Sequence, residues 1–304
     1  MTSPSTGGTR INDAIEVVDT HIHLCYGPTF SWESNGWLAS ESESFQREWS
    51  EADLISAASA STSTSLTAGV FVECGNAPPL AEARWALAMA SSSTSLIGGV
   101  TAHIPCMSGG DAVAAFLDAL RDADGALPAG LKGGRQVLLG DPMPAPDACR
   151  APLLLEGLAV LAANGLLWEW CCKPEALPHI AAISAQFPTM TFVLDHLGHN
   201  SGGNDLEAWK ASIDLVAACP NVVAKMGACE EWAVDDCGPY LEHALRSFGF
   251  DRCLAEGNWF VNAAMGDAYD ASFNKLLAAC AAVGASDAEV ASVFAGNARR
   301  VYSL

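Results

Sequence analysis

Short runs of apolar, β-branched residues recur along this chain and alternate with longer segments dominated by alanine and leucine. Runs at 17–23, 68–74, 97–103, 133–139, 166–172, 191–197, 221–227 and 252–258 have the length and composition of strands. Between them, Ala112–Arg121, Leu153–Asn164, Glu175–Gln186, Asp205–Ala218, Gly238–Phe248 and Tyr269–Val283 read as helices. Strand and helix alternating through eight units predicts a parallel α/β architecture, which closes most economically into a (β/α)8 TIM barrel over residues 15–304. An open doubly wound sheet is the alternative. It would normally carry a glycine-rich phosphate loop after its first strand, and that position here holds His-x-His. No repeat or linker divides the chain. The Ser/Thr/Gly-rich start predicts a loose tail over residues 1–14, without the apolar stretch of a signal peptide or anchor.

The connection after the first strand is long and rich in aromatics. Tyr26, Phe30, Trp32, Trp37, Phe45 and Trp49 are interspersed with Glu33, Glu41, Glu43 and Glu48. Loops this long in a compact domain are usually functional, so the segment from Leu24 to Trp49 is expected to form a lid, a plug for the barrel end, or both, with Trp32 a candidate substrate contact.

Chemistry concentrates where strands end. In Val17-Val18-Asp19-Thr20-His21-Ile22-His23, the two histidines are two residues apart on a strand and so share a face, which is a metal-ligand geometry. Active sites of (β/α)8 barrels sit at the C-terminal ends of the strands. Besides His21 and His23, the inferred strand ends deliver Glu73, His103, Lys132, Arg135, Glu169, Lys173, Asp195, His196, His199, Lys225, Glu256 and Asn258. Three of the five lysines are in that group, which predicts a locally positive mouth suited to an anionic ligand.

The net charge of −20 opposes binding to nucleic acid or an anionic membrane surface, leaving a small molecule as the expected partner. Eleven cysteines, an odd number with no Cys-x-x-Cys pair, fit a reducing, cytoplasmic setting better than a disulfide framework. No feature specifies an oligomeric state.

Asp19-Thr20-His21-Ile22-His23-Leu24, Leu194-Asp195-His196-Leu197-Gly198, Asn221-Val222-Val223-Ala224-Lys225-Met226-Gly227 and Arg252-Cys253-Leu254-Ala255-Glu256-Gly257-Asn258-Trp259 together resemble the amidohydrolase superfamily. More narrowly they resemble its amidohydrolase-2 branch, which includes 2-pyrone-4,6-dicarboxylate lactonase and the sugar-lactone hydrolases. Gly130-Leu131-Lys132-Gly133-Gly134-Arg135 and Pro174–Pro178 also fall where that branch has motifs. The resemblance implies a barrel whose mouth hydrolyses a small cyclic ester, with His21, His23, His196 and position 258 in the site.

The chain departs from the pattern at two points. The fifth strand, Leu166-Leu167-Trp168-Glu169-Trp170-Cys171-Cys172, has no histidine, and Asn258 stands where metal-dependent members have an aspartate. The cofactor is then either none or one divalent metal such as zinc, held by His21, His23 and His196. Asn258 can orient water but not deprotonate it, so the base would be Glu256, Glu73 or His196. The leading expectation is a hydrolase of a small, anionic lactone, whose anionic part is held by Arg135 and Lys225, with Lys132 and Lys173 nearby. The alternatives are a metal-dependent decarboxylase of the same branch, and a ligand-binding barrel without turnover.

Overall fold

The computed structural model describes residues 14–139, 150–199, 205–229 and 236–304. Apart from Ala14, the tail expected over residues 1–14 lies outside them, as does the side chain of His199.

Eight parallel strands follow one another round a single sheet: β1 (Ile15–Ile22), β2 (Thr64–Val72), β3 (Ile97–His103), β4 (Leu131–Val137), β5 (Leu167–Cys171), β6 (Phe192–Leu194), β7 (Val222–Lys225) and β8 (Cys253–Leu254). The ring closes where Thr20 N donates to Ala255 O at 3.2 Å and Ile22 pairs in parallel with Trp259. All eight strands lie at or within a few residues of the expected positions, and the fold is the (β/α)8 barrel.

The expected helices appear as α3 (Gly110–Asp118), α4 (Pro152–Ala163), α5 (Leu177–Ser184), α6 (Leu206–Ala217), α7 (Gly238–Phe248) and α8 (Ala271–Ala282). Others were not read from the sequence, among them α1 (Glu51–Ser59), α2 (Pro79–Ala90), α9 (Asp287–Ala291) and α10 (Asn297–Tyr302). Both α1 and α9 carry a start signal that the apolar pattern alone did not show. Ser50 with Asp53, and Ser286 with Glu289, form capping boxes that satisfy backbone N–H groups at the first turn of each helix. Among the described residues no helix is long and apolar enough to cross a membrane.

Inside the barrel, Val18, Val70, Leu167, Val193, Val223 and Leu254 form an apolar layer closed from below by Ala295, Ala298 and Tyr302. Above it the residues that point inward become polar. His103, Arg135 and Glu169 stand side by side across β3, β4 and β5, because the register pairs each with the next. Water is thus kept from the lower barrel while the C-terminal mouth holds the charged groups.

Candidate active site

The Leu24–Trp49 connection folds over this mouth and is pinned at both ends. Cys25 and Trp49 pair as an antiparallel bridge, and Trp49 stacks on Phe260 at 5.0 Å. Between them the buried Asn35 donates to Cys74 O at 2.8 Å and to Asn76 Oδ1 at 3.0 Å, while its own Oδ1 accepts from the backbone N–H groups of Trp37 and Leu38. The segment is both plug and cover. Asn35 aims Trp37, not Trp32, at the cavity below. That cavity, of about 440 Å³, is bordered by His23, Trp37, Glu73, Arg135, His196 and Asn258, with Val137, Leu139, Cys171 and Val261 supplying an apolar wall.

His21, His23 and His196 do converge. The His21 ring centroid lies 4.7 Å from that of His23 and 4.4 Å from that of His196. The hydrogen-bond network assigns the His23 tautomer. His23 Nδ1 lies 3.0 Å from Val72 O, which can only accept, so that nitrogen carries the proton and His23 Nε2 is a lone pair. His21 Nε2 is 3.1 Å from His23 Nε2 and 3.2 Å from Arg135 Nη1, and His21 Nδ1 is 3.1 Å from the Lys225 ammonium. Burial, with Lys225 close by, keeps the His21 imidazole neutral far below the usual histidine range, and burial pushes His23 down to about 3.

Beneath the histidines lies a buried ion network. Lys225 Nζ is 2.5 Å from Glu169 Oε2 and 3.0 Å from Asp195 Oδ1. Glu169 Oε1 accepts from Thr101 Oγ1 at 2.8 Å and from the Tyr302 hydroxyl at 2.7 Å. Arg135 donates from Nε to Glu73 Oε1 at 3.1 Å, from Nη2 to Glu73 O at 2.9 Å and from Nη1 to Asp195 Oδ2 at 3.3 Å. Burial alone would raise the Asp195 and Glu73 carboxyls. The neighbouring cations overcome it, Lys225 and Arg135 at Asp195 and Arg135 at Glu73, and hold both below the ordinary carboxylate range.

Two backbone devices turn side chains into the site. His196 and Asn258 both adopt left-handed backbone, with φ of 52° and 49°, just past β6 and β8. Asparagine tolerates that region better than most residues, whereas a histidine held there marks a conformation fixed by its surroundings. Gly257 is required as well, since a Cβ there would lie 2.5 Å from Asp19 Oδ2. Asp19 accepts from the N–H groups of His21 and Gly257 and from the Tyr269 hydroxyl, so it braces the ends of β1 and β8 together.

The expected positive mouth is not what these contacts make. Lys132 is the second residue of β4 and so lies at the opposite end of the barrel, where Nζ donates to Ser303 O at 3.1 Å. Lys225 is fully buried and committed to two carboxylates, so it cannot meet an anionic substrate. Lys173 and Trp32 do not border the cavity. Of the four expected cations only Arg135 does, and it is neutralised by Glu73 and Asp195.

Of the base candidates, Glu73 is tied to Arg135. Glu256 is fully buried, with Oε2 at 3.0 Å from His196 Nδ1 and 3.5 Å from His21 Nδ1. Glu169 and Asp195 were expected at strand ends without an assigned role, and Tyr302 was not expected at the site at all. The first two betray themselves as acids within otherwise apolar strand runs. Tyr302 gives no such sign, since its role depends on α10 packing under the barrel.

Two groups of side chains place ligand atoms within 4.8 Å of one another, His21 with His196 and Glu256, and His21 with Glu169 and Asp195. A divalent cation does not suit the second, because the Lys225 ammonium already holds that place. Any cation bound through His21 also meets Lys225 and Arg135, which lie 3.1 and 3.2 Å from its two ring nitrogens. Strand five offers Glu169 rather than a histidine, and Asn258 contributes at best a neutral oxygen.

Known proteins share sequence and fold with this chain. An L-fucono-1,5-lactonase from Burkholderia multivorans (strain ATCC 17616 / 249) is 27% identical over 167 residues, 49% of this chain and 55% of that protein. The matched span is about half the length of the curated relatives. A solved amidohydrolase from Burkholderia multivorans with bound zinc superposes with a TM-score of 0.77 at 22% identity, covering 95% of this chain and 99% of that one. A probable 2-pyrone-4,6-dicarboxylic acid hydrolase from Acinetobacter baumannii, solved with citric acid bound, gives a TM-score of 0.71 at 14% identity, covering 95% and 99%. The sequence pattern of the amidohydrolase family matches residues 18–304, so the chain belongs to that family.

Proposed function

We propose that this protein hydrolyses a small lactone at the barrel mouth, with His196 as general base. The observation that carries this reading is the 3.0 Å contact between His196 Nδ1 and Glu256 Oε2 on the border of the cavity shared with Arg135 and Asn258. Neither Glu256 oxygen has a well-aligned donor among the described residues. A buried carboxylate in that condition gains most when the facing imidazole takes up a proton, which is the event a general base undergoes in the transition state.

Water oriented by the Asn258 amide attacks the lactone carbonyl carbon and gives its proton to His196 Nε2. Arg135 has five N–H donors. One hydrogen on Nε, one on Nη1 and one on Nη2 serve Glu73 and Asp195, and the second Nη1 hydrogen faces His21 at 3.2 Å. The remaining Nη2 hydrogen donates to the carbonyl oxygen as charge develops there. The tetrahedral adduct then collapses, the ring C–O bond breaks, and His196 returns its proton to the departing alkoxide. The product is a hydroxy acid. Glu256 acts through His196 and never touches the substrate.

His196→Ala and Glu256→Gln test this. Each should lower kcat by about a hundredfold or more with KM changed only a few-fold. Wild-type turnover of no lactone, or unchanged kcat in either variant, overturns the reading. A decarboxylase is less well supported, because that chemistry needs a firmly held metal where Lys225 sits. The ten cysteines among the described residues are free thiols, which supports a reducing, cytoplasmic setting.

A further inference from the structure

We infer that the substrate of this site is an uncharged lactone bearing an apolar substituent, in place of a carboxylated or polyhydroxylated one. This rests on the lactonase reading and deepens it.

Charge comes first. A carboxylate in a buried site needs a cation with donors to spare, ideally the two parallel N–H groups of a free guanidinium. Among the described residues the only cation bordering the cavity is Arg135, which faces Glu73 at 3.1 Å and Asp195 at 3.3 Å and keeps one uncommitted hydrogen. One hydrogen serves a neutral carbonyl oxygen and cannot serve a carboxylate fork. Bringing a further anion to a site already holding Glu73, Asp195 and Glu256 is opposed by all three.

The wall decides the rest. Val137 closes β4 with 47% of its surface exposed, although the strand is otherwise mostly buried, and it faces the cavity beside Leu139, Cys171 and Val261. Across from them, Trp37 spends its indole N–H on Glu41 Oε1 at 3.0 Å and presents its ring. His23 has no donor left for a ligand, since its proton goes to Val72 O. The hydroxyls of a sugar lactone would be stripped of water against this wall without partners, whereas an alkyl group would bury favourably.

The test uses the full-length wild-type protein and three lactones of equal ring size, one alkyl-substituted, one polyhydroxylated and one carboxylated. Their non-hydrolysable lactams are titrated in parallel by calorimetry. The alkyl lactone should exceed the other two in kcat/KM on the order of a hundredfold, and the lactam affinities should follow the same order. Equal or better use or binding of the carboxylated or polyhydroxylated compounds, or no binding of the alkyl lactam, overturns the inference. Tight binding of the alkyl lactam with no lactone hydrolysed supports the ligand class while ending the lactonase reading, so the two fail separately. Val137→Lys adds a cation to the wall at an exposed position. It should raise relative kcat/KM for the carboxylated lactone on the order of tenfold, and no change would show that charge at this wall does not select the substrate.

Discussion

Lys225 Nζ lies 2.5 Å from Glu169 Oε2, and neither residue has any surface exposed. A buried ammonium persists only where its neighbours replace the water it has lost, and here Glu169, Asp195 and His21 Nδ1 surround it. Those carboxylates, Asp195 foremost, hold Lys225 protonated against the opposing effect of burial. The lysine in turn holds the His21 ring through its 3.1 Å contact with Nδ1.

If Lys225 fills the cation position, chelators should leave lactone turnover unchanged, and the wild type should purify with far less than one equivalent of metal. Lys225→Ala vacates a cluster of His21, Glu169 and Asp195 ligand atoms that lie within 4.8 Å of one another. Metal analysis should find zinc retained in the variant but not in the wild type. Loss of the partner of two buried carboxylates should also cost about 3–5 kcal/mol of stability, which added zinc should partly restore in a thermal melt. Stoichiometric metal in the wild type, removed together with activity, would refute the assignment.

Tyr302 joins the closed end of the barrel to the site, since its hydroxyl donates to Glu169 Oε1 at 2.7 Å. Tyr302→Phe keeps the ring packed and removes only that donor. Stability should fall by about 1 kcal/mol, and kcat by roughly a few-fold with KM unchanged. A changed KM with constant kcat would show that the hydroxyl matters to binding and not to the positioning of His21.

The pH dependence of stability has a separable sign at Glu82, which is buried and accepts from Cys74 N, Asn76 N and Asn76 Nδ2. Burial pushes this carboxyl up to about 7, and Asp19 is raised to about 7 for the same reason. Each binds a proton more tightly when folded, so its contribution is complete below about pH 4, where unfolded carboxyls titrate, and is lost as pH rises through 7. His21 and His23 are lowered by burial and act oppositely, with stability gained as pH rises toward 6.5. The wild-type profile should therefore be shallow between pH 4.5 and 6.5. Glu82→Gln removes one falling component, so its stability relative to wild type should increase with pH, by at most about 1.4 kcal/mol per pH unit. Denaturant midpoints at pH 5, 6 and 7 measure this directly, and a relative stability that fell with pH would contradict the sign.

Arg135 and Lys132 separate the two ends of β4. Lys132→Ala should leave kcat/KM within about twofold of wild type, because Nζ reaches only the carbonyl of Ser303. Arg135→Ala leaves Glu73 and Asp195 without their buried partner and should abolish turnover while lowering stability by about 3–5 kcal/mol. Arg135→Lys should rescue only part, since one ammonium cannot reach Glu73 Oε1, Glu73 O and Asp195 Oδ2 as the planar fork does. Similar losses in the Lys132 and Arg135 variants would mean that the two ends are coupled in a way these contacts do not provide.

The strands were legible because a barrel strand buried on both faces must be a short apolar run, and the positions of His21, His23, His196 and Asn258 followed from where those runs stop. Local pattern also set the family resemblance, since each motif is a contiguous stretch of backbone and side chains. Helices α2 and α10 were not legible. Their alanine-rich or short sequences gain stability from tertiary packing more than from an amphipathic stripe. Nor did the sequence reveal whether a lysine faces substrate or is consumed in a core ion pair. Lys132 and Lys225 both sit on strands, yet one lies at the closed end beside Ser303 and the other is enclosed by Glu169 of β5 and by Asp195 just past β6. Composition and spacing can place a charge near a strand end. What that charge meets is set by partners 30 and more residues away, and its energy depends on distances of a few ångströms and on the loss of water, which only the closed barrel decides.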